Sequence, residues 1–142
     1  MDYLIELIML PVADADRAKE FYVDKAGFVL EVDTSPAPGM RVIQATPRGS
    51  SCSIVFGAGM LDPSSPPVLG THLVVRDIVA ARDELVARGV EVSEVRHMTP
   101  NGWEPGPHPE RSDYNSFADF ADPDGNTWVL QERRSDLQPR PS

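Results

Sequence analysis

The stretch Leu10-Pro-Val-Ala-Asp14-Ala-Asp16-Arg-Ala18-Lys-Glu-Phe21-Tyr22-Val-Asp-Lys25-Ala26-Gly27-Phe28 decides the fold. Ala18, Phe21, Tyr22 and Ala26 recur at helical spacing. Asp14 stands where a carboxylate can accept the unpaired N–H groups of the first turn, and Asp16 complements the positive end of the helix. Lys25 falls in the last turn, and Gly27 is placed to stop the helix. Before this helix, the apolar run Leu4–Val12 reads as a strand buried on both faces. After it, Phe28–Val32 reads as a strand. A turn at Pro36–Gly39 leads to strands near Arg41–Thr46 and Ser51–Phe56, separated by Pro47–Ser50. The order is strand, helix, strand, strand, strand.

The same order then begins again. Gly57–Leu69 is rich in Gly, Pro and Ser and reads as a linker. Thr71–Val75 is a β-branched strand, Asp77 caps a helix carrying Ile78, Ala81, Leu85 and Val86, and Gly89 stops it. Val90–Val95 alternates like a strand. Strands near Ser116–Ala121 and Thr127–Glu132 complete the second half. A shift of 63 residues places Leu10 on Leu73, Val12 on Val75, Asp14 on Asp77 and Ala18 on Ala81. A shift of 62 places Gly27 on Gly89 and Phe28 on Val90. The chain is an internal repeat. The expected organisation is one domain, 1–142, made of module 1 (4–57), a linker (58–69), module 2 (70–133) and a tail (134–142) that is expected to be mobile.

One segment breaks the repeat. Arg96–Asn115 holds four prolines together with His97, Trp103, His108 and Tyr114. A connection of that length is uncommon inside a compact domain, and it reads as a binding loop or lid.

The composition narrows the function. The chain has 142 residues, is 41% hydrophobic and carries a net charge of −9. Both halves are acidic and the middle is nearly neutral, which argues against nucleic acid and anionic membrane as partners. No apolar run is long enough to span a bilayer, and no signal peptide is read at the start. The single cysteine, Cys52, forms no internal disulfide and suits a reducing, cytoplasmic setting. It sits in an apolar strand with no basic neighbour, as an inert structural thiol. There is no nucleophile elbow, phosphate loop or dinucleotide-binding glycine pattern.

Two signatures carry a family resemblance: Leu10–Tyr22 followed by Gly27-Phe28, and Asp122-Pro123-Asp124-Gly125-Asn126 followed by a terminal strand. With the repeat, they resemble the vicinal oxygen chelate superfamily, which includes glyoxalase I, extradiol dioxygenases and bleomycin-resistance proteins. The resemblance spans about Leu4 to Arg133. It implies an α+β fold of two βαβββ modules whose curved mixed sheet surrounds a ligand cleft, and commonly a homodimer, sometimes with modules exchanged between chains. The Asp-Pro-Asp-Gly-Asn run itself reads as a tight turn, because Pro presets φ, Asp bonds its own backbone and Gly accepts positive φ.

In the metal-dependent members the ion is held by His and Glu side chains from the first and last strands of each module. Carried over residue by residue, those positions are Leu7, Val55, Gly70 and Val129 here. None offers a side-chain donor to a divalent cation, so no metal and no cofactor is expected. His72, two residues after Gly70, faces the same side of an extended strand. It is a candidate general base, ligand hydrogen-bond partner or buried structural histidine. His97 and His108 with Asp113 or Glu110 match no known metal spacing, and Glu6 alternates away from Leu7.

An apolar pocket suits a hydrophobic or aromatic small molecule. Trp103, Tyr114 and Phe117 can stack on it, and His72 and Arg41 can orient it, with Leu7, Val55, Gly70 and Val129 lining the cleft. Trp103 and Tyr114 equally suit loop anchors or a dimer contact. Three readings stay open. One is a metal-independent binding protein similar to the bleomycin-resistance branch, with acidic charge favouring a cationic ligand. The second is a metal-independent lyase, isomerase or dioxygenase with His72, or a loop histidine with Asp113, moving a proton. The third is a metal-dependent enzyme with displaced ligands.

Overall fold

The structure is a computed structural model that describes residues 1–135. The expected mobility of the tail falls largely on residues 136–142, outside the described residues. The strands are β1 (Leu7–Met9), β2 (Val29–Thr34), β3 (Arg41–Thr46), β4 (Ser53–Ala58), β5 (Thr71–Val75), β6 (Arg96–Thr99), β7 (Gly102–Pro105), β8 (Phe117–Ala121) and β9 (Thr127–Glu132). The helices are α1 (Ala15–Lys19), which continues into a π-helical turn at Glu20–Lys25, and α2 (Ile78–Ala87). The fold is α+β, with two mixed sheets. The chain divides into two compact units, one of Met1–Val68 with Asp122–Asn126, the other of Leu69–Ala121 with the described chain from Thr127 on.

In the first unit the sheet order is β1-β4-β3-β2, with β1 and β4 parallel and the other pairs antiparallel. Asp14 caps α1 through Oδ1, which accepts the N–H groups of Asp16 and Arg17 at 3.0 and 3.2 Å. Gly27 stops the helical run at φ +78°, where a side chain would be strained. Tyr22 drives the helix onto the sheet: its ring centre lies 5.4 Å from Phe56 and 5.5 Å from Phe28. Ile43, Ala45, Ile54 and Phe56 point to this helix side and are buried.

The Asp122–Asn126 turn completes this unit. Asp122 Oδ1 accepts the N–H groups of Asp124 and Asn126, and Gly125 takes φ +84°. Tyr22 Oη donates to Asp122 Oδ2 at 2.7 Å. The Asn126 side chain donates to Pro11 O at 3.0 Å and accepts Val68 N–H at 2.9 Å. Asp124 Oδ1 accepts Ala13 N–H and Arg17 Nη2.

In the second unit the order is β5-β9-β8-β6-β7, with β5 and β9 parallel and the other pairs antiparallel. Asp77 caps α2 by accepting Ala80 N–H at 3.1 Å. Ala118, Phe120, Trp128 and Leu130 are buried, and Phe120 stacks on Trp128 at 9° and 6.2 Å. Strand positions correspond between the units, β5 to β1, β9 to β4, β8 to β3 and β6 to β2, while β7 is an added edge.

Three expectations from the sequence are corrected. The apolar run Leu4–Val12 is not a strand buried on both faces. Only Leu7–Met9 forms a strand, Leu4 and Ile5 are exposed, and Leu7 is 54% exposed. The strand lies at a sheet edge and pairs only with β4, so its composition overstates its burial. Val90–Val95 does not pair as a strand. Ser93 N–H donates to Asp119 O, and Ser93 Oγ accepts Asp119 N–H, but the ladder begins only at Arg96. Arg96–Asn115 is not one long loop either. Its first ten residues fold into the β6–β7 hairpin, with Met98 opposite Trp103 and Thr99 opposite Gly102.

Candidate functional site

Strand alternation sorts the second sheet into two faces. Along β9, Trp128, Leu130 and Glu132 are buried while Thr127, Val129 and Gln131 are half-buried. The buried set lies on the helix side, since the Glu132 carboxylate accepts Ile78 N–H at 2.8 Å at the start of α2. The register then fixes what lies on the other face. His72 and Asp119 flank Val129 on either side, Phe117 lies opposite Gln131 and opposite Arg96, and Met98 lies opposite Trp103. His72, Phe117, Val129 and Trp103, proposed separately from the sequence, are thus gathered on one helix-free face.

His72 is exposed, and its Nδ1 lies 2.7 Å from Gly70 O. A carbonyl only accepts, so Nδ1 carries the hydrogen and Nε2 of the neutral ring keeps its lone pair. Gly70, immediately before β5, takes φ +76° and donates its N–H to Thr127 Oγ1 at 2.7 Å. Its backbone, not a side chain, is what it brings to the site.

Trp103 stands at the other end of the face, 51% exposed. The Arg96 guanidinium lies 4.8 Å from its ring centre and 6.0 Å from that of Phe117. Phe117 meets the indole edge-on at 5.4 Å. Arg96 is itself held by Asp119, at 2.7 Å from Nη1 and 3.3 Å from Nη2. An exposed indole is therefore fixed in orientation by an arginine whose charge is already balanced.

Tyr114 borders this face from the loop after β7. It adopts φ +65°, donates its N–H to Glu132 O at 2.7 Å and accepts Gln131 Nε2 on its carbonyl at 3.1 Å. The Arg133 guanidinium lies 5.6 Å from its ring. The loop is anchored by Arg111, whose Nε and Nη2 donate to the two oxygens of the fully buried Glu132 at 2.8 and 2.7 Å. Burial opposes the charge on Glu132, but Arg111 and the Ile78 N–H outweigh it and hold the carboxyl below its usual range.

Leu7, Val55 and Arg41 belong to the first unit. Leu7 and Met9 lie on the helix-free face of its sheet, with Val55 opposite Met9 and Gln44. Arg41 does not join them. It points to the helix side, where it donates to Asp33 at 3.0 Å through Nε and Nη2 and to Asp16 at 2.6 Å. Arg41 and Lys19 hold Asp33 far below the usual carboxylate range.

Leu7, Val55, Gly70 and Val129, the positions that the family resemblance assigns to metal ligands, carry no side chain that fits a divalent cation. Among the described residues no group of three or more His, Cys, Asp or Glu is arranged to hold one. His97 lies on the helix side of β6, buried, with Nδ1 donating to Gly106 O at 2.8 Å. No helix of the described residues is long and apolar enough to cross a membrane.

Reading the sequence missed Arg96, Met98 and Asp119. The signal was present in Pro100-Asn101-Gly102, since Asn-Gly between strand-like segments is a strong hairpin cue. A hairpin there puts Arg96 and Trp103 on one face.

A crystal structure of TnmS3, an antibiotic binding protein from Streptomyces sp. CB03234, is similar to this chain at 32% identity, with 92% of this chain and 96% of that one covered and a TM-score of 0.70. A glyoxalase/bleomycin resistance protein from the same organism is also 32% identical, covering 90% and 99% of the two chains at a TM-score of 0.66. A member of the glyoxalase/bleomycin resistance protein/dioxygenase superfamily from Sphaerobacter thermophilus DSM 20745 is 27% identical, covering 93% and 98% at a TM-score of 0.70. The family model for the same superfamily matches residues 4–130. With the βαβββ repeat in the sequence and two mixed sheets in the structure, this chain belongs to the Glyoxalase/Bleomycin resistance protein/Dioxygenase superfamily.

Proposed function

We propose that this protein binds a small hydrophobic or aromatic molecule on the helix-free face of its second sheet, without the divalent metal used by other members of the superfamily. The observation that carries the reading is Trp103. An indole half in solvent, held edge-on to Phe117 and covered on one side by Arg96, is a stacking surface that loses little freedom when a ligand lands on it. His72 Nε2 supplies a directional acceptor across the face, and Val129 and Gln131 lie between. The similarity to an antibiotic binding protein supports a binding role. The net charge of −9 favours a cationic ligand over an anionic one.

The same reading includes a homodimer. Leu4, Ile5, Leu7 and Met9 are exposed on and just before the edge strand β1, an apolar edge suited to a second copy. The single cysteine suits the cytoplasm, and the acidic surface suits neither nucleic acid nor membrane.

The Nδ1 contact of His72 supports a second reading. A histidine whose Nδ1–H is tied to a carbonyl presents Nε2 as a base, as a metal-independent lyase or isomerase requires. One experiment separates the readings. In a Trp128→Phe background, Trp103 is the only tryptophan and its fluorescence reports on this face. Titration with planar aromatic metabolites and cationic antibiotics should give saturable quenching and thermal stabilisation, both weakened about tenfold or more by removing Trp103. Quenching without product supports binding. Product formation abolished by His72→Ala supports the enzyme. Stoichiometric metal in protein purified without chelator overturns the metal-free part of the proposal.

A further inference from the structure

We infer that His108 is a pH-operated latch on the loop between β7 and β8: its neutral imidazole holds the loop shut, and protonation releases it. The latch is visible in the direction of its hydrogen bonds. His108 Nδ1 lies 3.1 Å from Glu110 N and 3.3 Å from Ser112 N. Both partners are backbone N–H groups and only donate, so Nδ1 must be unprotonated and the hydrogen of the neutral ring sits on Nε2. The turn is closed further by Arg111 N–H to His108 O at 2.9 Å and by His108 N–H to the buried Ser116 Oγ at 2.9 Å.

What the latch holds is strained. Arg111 and Tyr114 adopt φ +53° and +65°, the left-handed region that non-glycine residues avoid. The conformation places the Arg111 guanidinium on Glu132, which in turn caps Ile78 N–H. The acids around the turn are Glu110, Glu132, Asp77 and Asp113. Glu132 and Asp77 are both engaged by Arg111. Asp113 accepts the N–H groups of Arg134 and Ser135. The His97 ring meets His108 edge-on at 5.8 Å, and its Nε2 lies 3.9 Å from Glu104.

A proton taken from solvent onto Nδ1 turns the acceptor into a donor aimed at two other donors. The turn from 108 to 112 then loses both of its bonds to Nδ1, and only Arg111 N–H on His108 O and the Arg111 pairing with Glu132 still hold it against the strained φ of Arg111. Tyr114 rides on the same loop, so under the proposed binding role ligand affinity falls along the same pH profile. That last consequence rests on the binding proposal, whereas the latch does not.

The test needs no ligand. NMR on the full chain between about pH 8 and 5 follows the His108 ring nitrogens together with amide exchange at Glu110 and Ser112, corrected for the intrinsic pH dependence of exchange. The expected result is an Nε2–H ring at high pH and a loss of protection at both amides of about tenfold as His108 protonates. In His108→Asn the side-chain oxygen takes the place of Nδ1 and cannot be protonated, so protection persists through the whole range. In His108→Ala it is low throughout. The inference is overturned if the two amides keep their protection while the wild-type ring titrates, or if His108→Asn loses it in acid as the wild type does. A failure of aromatic ligands to bind leaves these amide readings unaffected and counts only against the binding proposal.

Discussion

The Arg96 guanidinium lies 4.8 Å from the centre of the Trp103 indole while Asp119 holds its other edge at 2.7 Å. The arginine is a support for the indole and not a spare charge. Arg96→Ala should leave global stability within about 1 kcal/mol, since the contacts are partly exposed. It should free the indole to move, raising acrylamide quenching of Trp103 in a Trp128→Phe background. Affinity for an aromatic ligand should fall about fivefold. Unchanged quenching would mean that the arginine does not hold the ring.

Glu132 is fully buried and depends on Arg111. Arg111→Leu strands a carboxylate in the interior and should cost about 3 kcal/mol, read from denaturant midpoints at pH 7. The pH dependence has a definite sign. The native carboxyl is held below its ordinary range, so its contribution is present at pH above that range and is lost as pH falls through the native value. In Arg111→Leu burial dominates and the protonated acid is favoured. The gap between wild type and variant should therefore narrow on acidification.

Arg41 serves the first unit from its helix side, through Asp33 and Asp16. Arg41→Ala should lower stability by about 1 kcal/mol, because the network is near the surface. Asp33 is held far below the usual carboxylate range by Arg41 and Lys19, so this contribution persists from neutral pH down into strong acid and fades only there. Ligand affinity on the second sheet should stay within twofold of wild type in a calorimetric titration. A larger loss would give Arg41 a role at the ligand.

Asn126 is 1% exposed and satisfies Pro11 O and Val68 N–H as well as Asp122. Asn126→Ala takes their partner from Pro11 O and Val68 N–H, while Asp122 keeps Tyr22 Oη, and should cost about 2–4 kcal/mol. For a chain of this size that lowers Tm by roughly 5–15 °C in calorimetry. A shift under about 2 °C would show that water can replace the amide.

Much of the architecture could be read before the structure was known, because local physics fixes it. Asp14 and Asp77 cap helices at the expected residues, and β3, β5 and β9 have the expected limits. What escaped depends on pairing between distant strands. The exposure of Leu7 follows from β1 being an edge, which no local pattern reveals. The orientation of Arg41 follows from register: it is paired with Ala58 and so lies on the Ile43 and Phe56 side. The hairpin at Pro100–Gly102 was hidden by four prolines that suggested irregular chain. The face carrying His72 and Trp103 was half legible. Alternation placed His72 and the family resemblance placed Val129, but only the register of β6 on β8 brings in Arg96.

The first compact unit includes Asp122–Asn126 as well as Met1–Val68. During synthesis, its last hydrogen-bonding partners emerge only after more than fifty further residues have been made. At 5–20 residues per second the Tyr22 hydroxyl and the Pro11 carbonyl wait about 5–23 s for Asp122 and Asn126. The amino-terminal half is thus exposed to chaperones and proteases in an unfinished form, and a gene cut at the linker would yield a half that can never be finished from its own sequence.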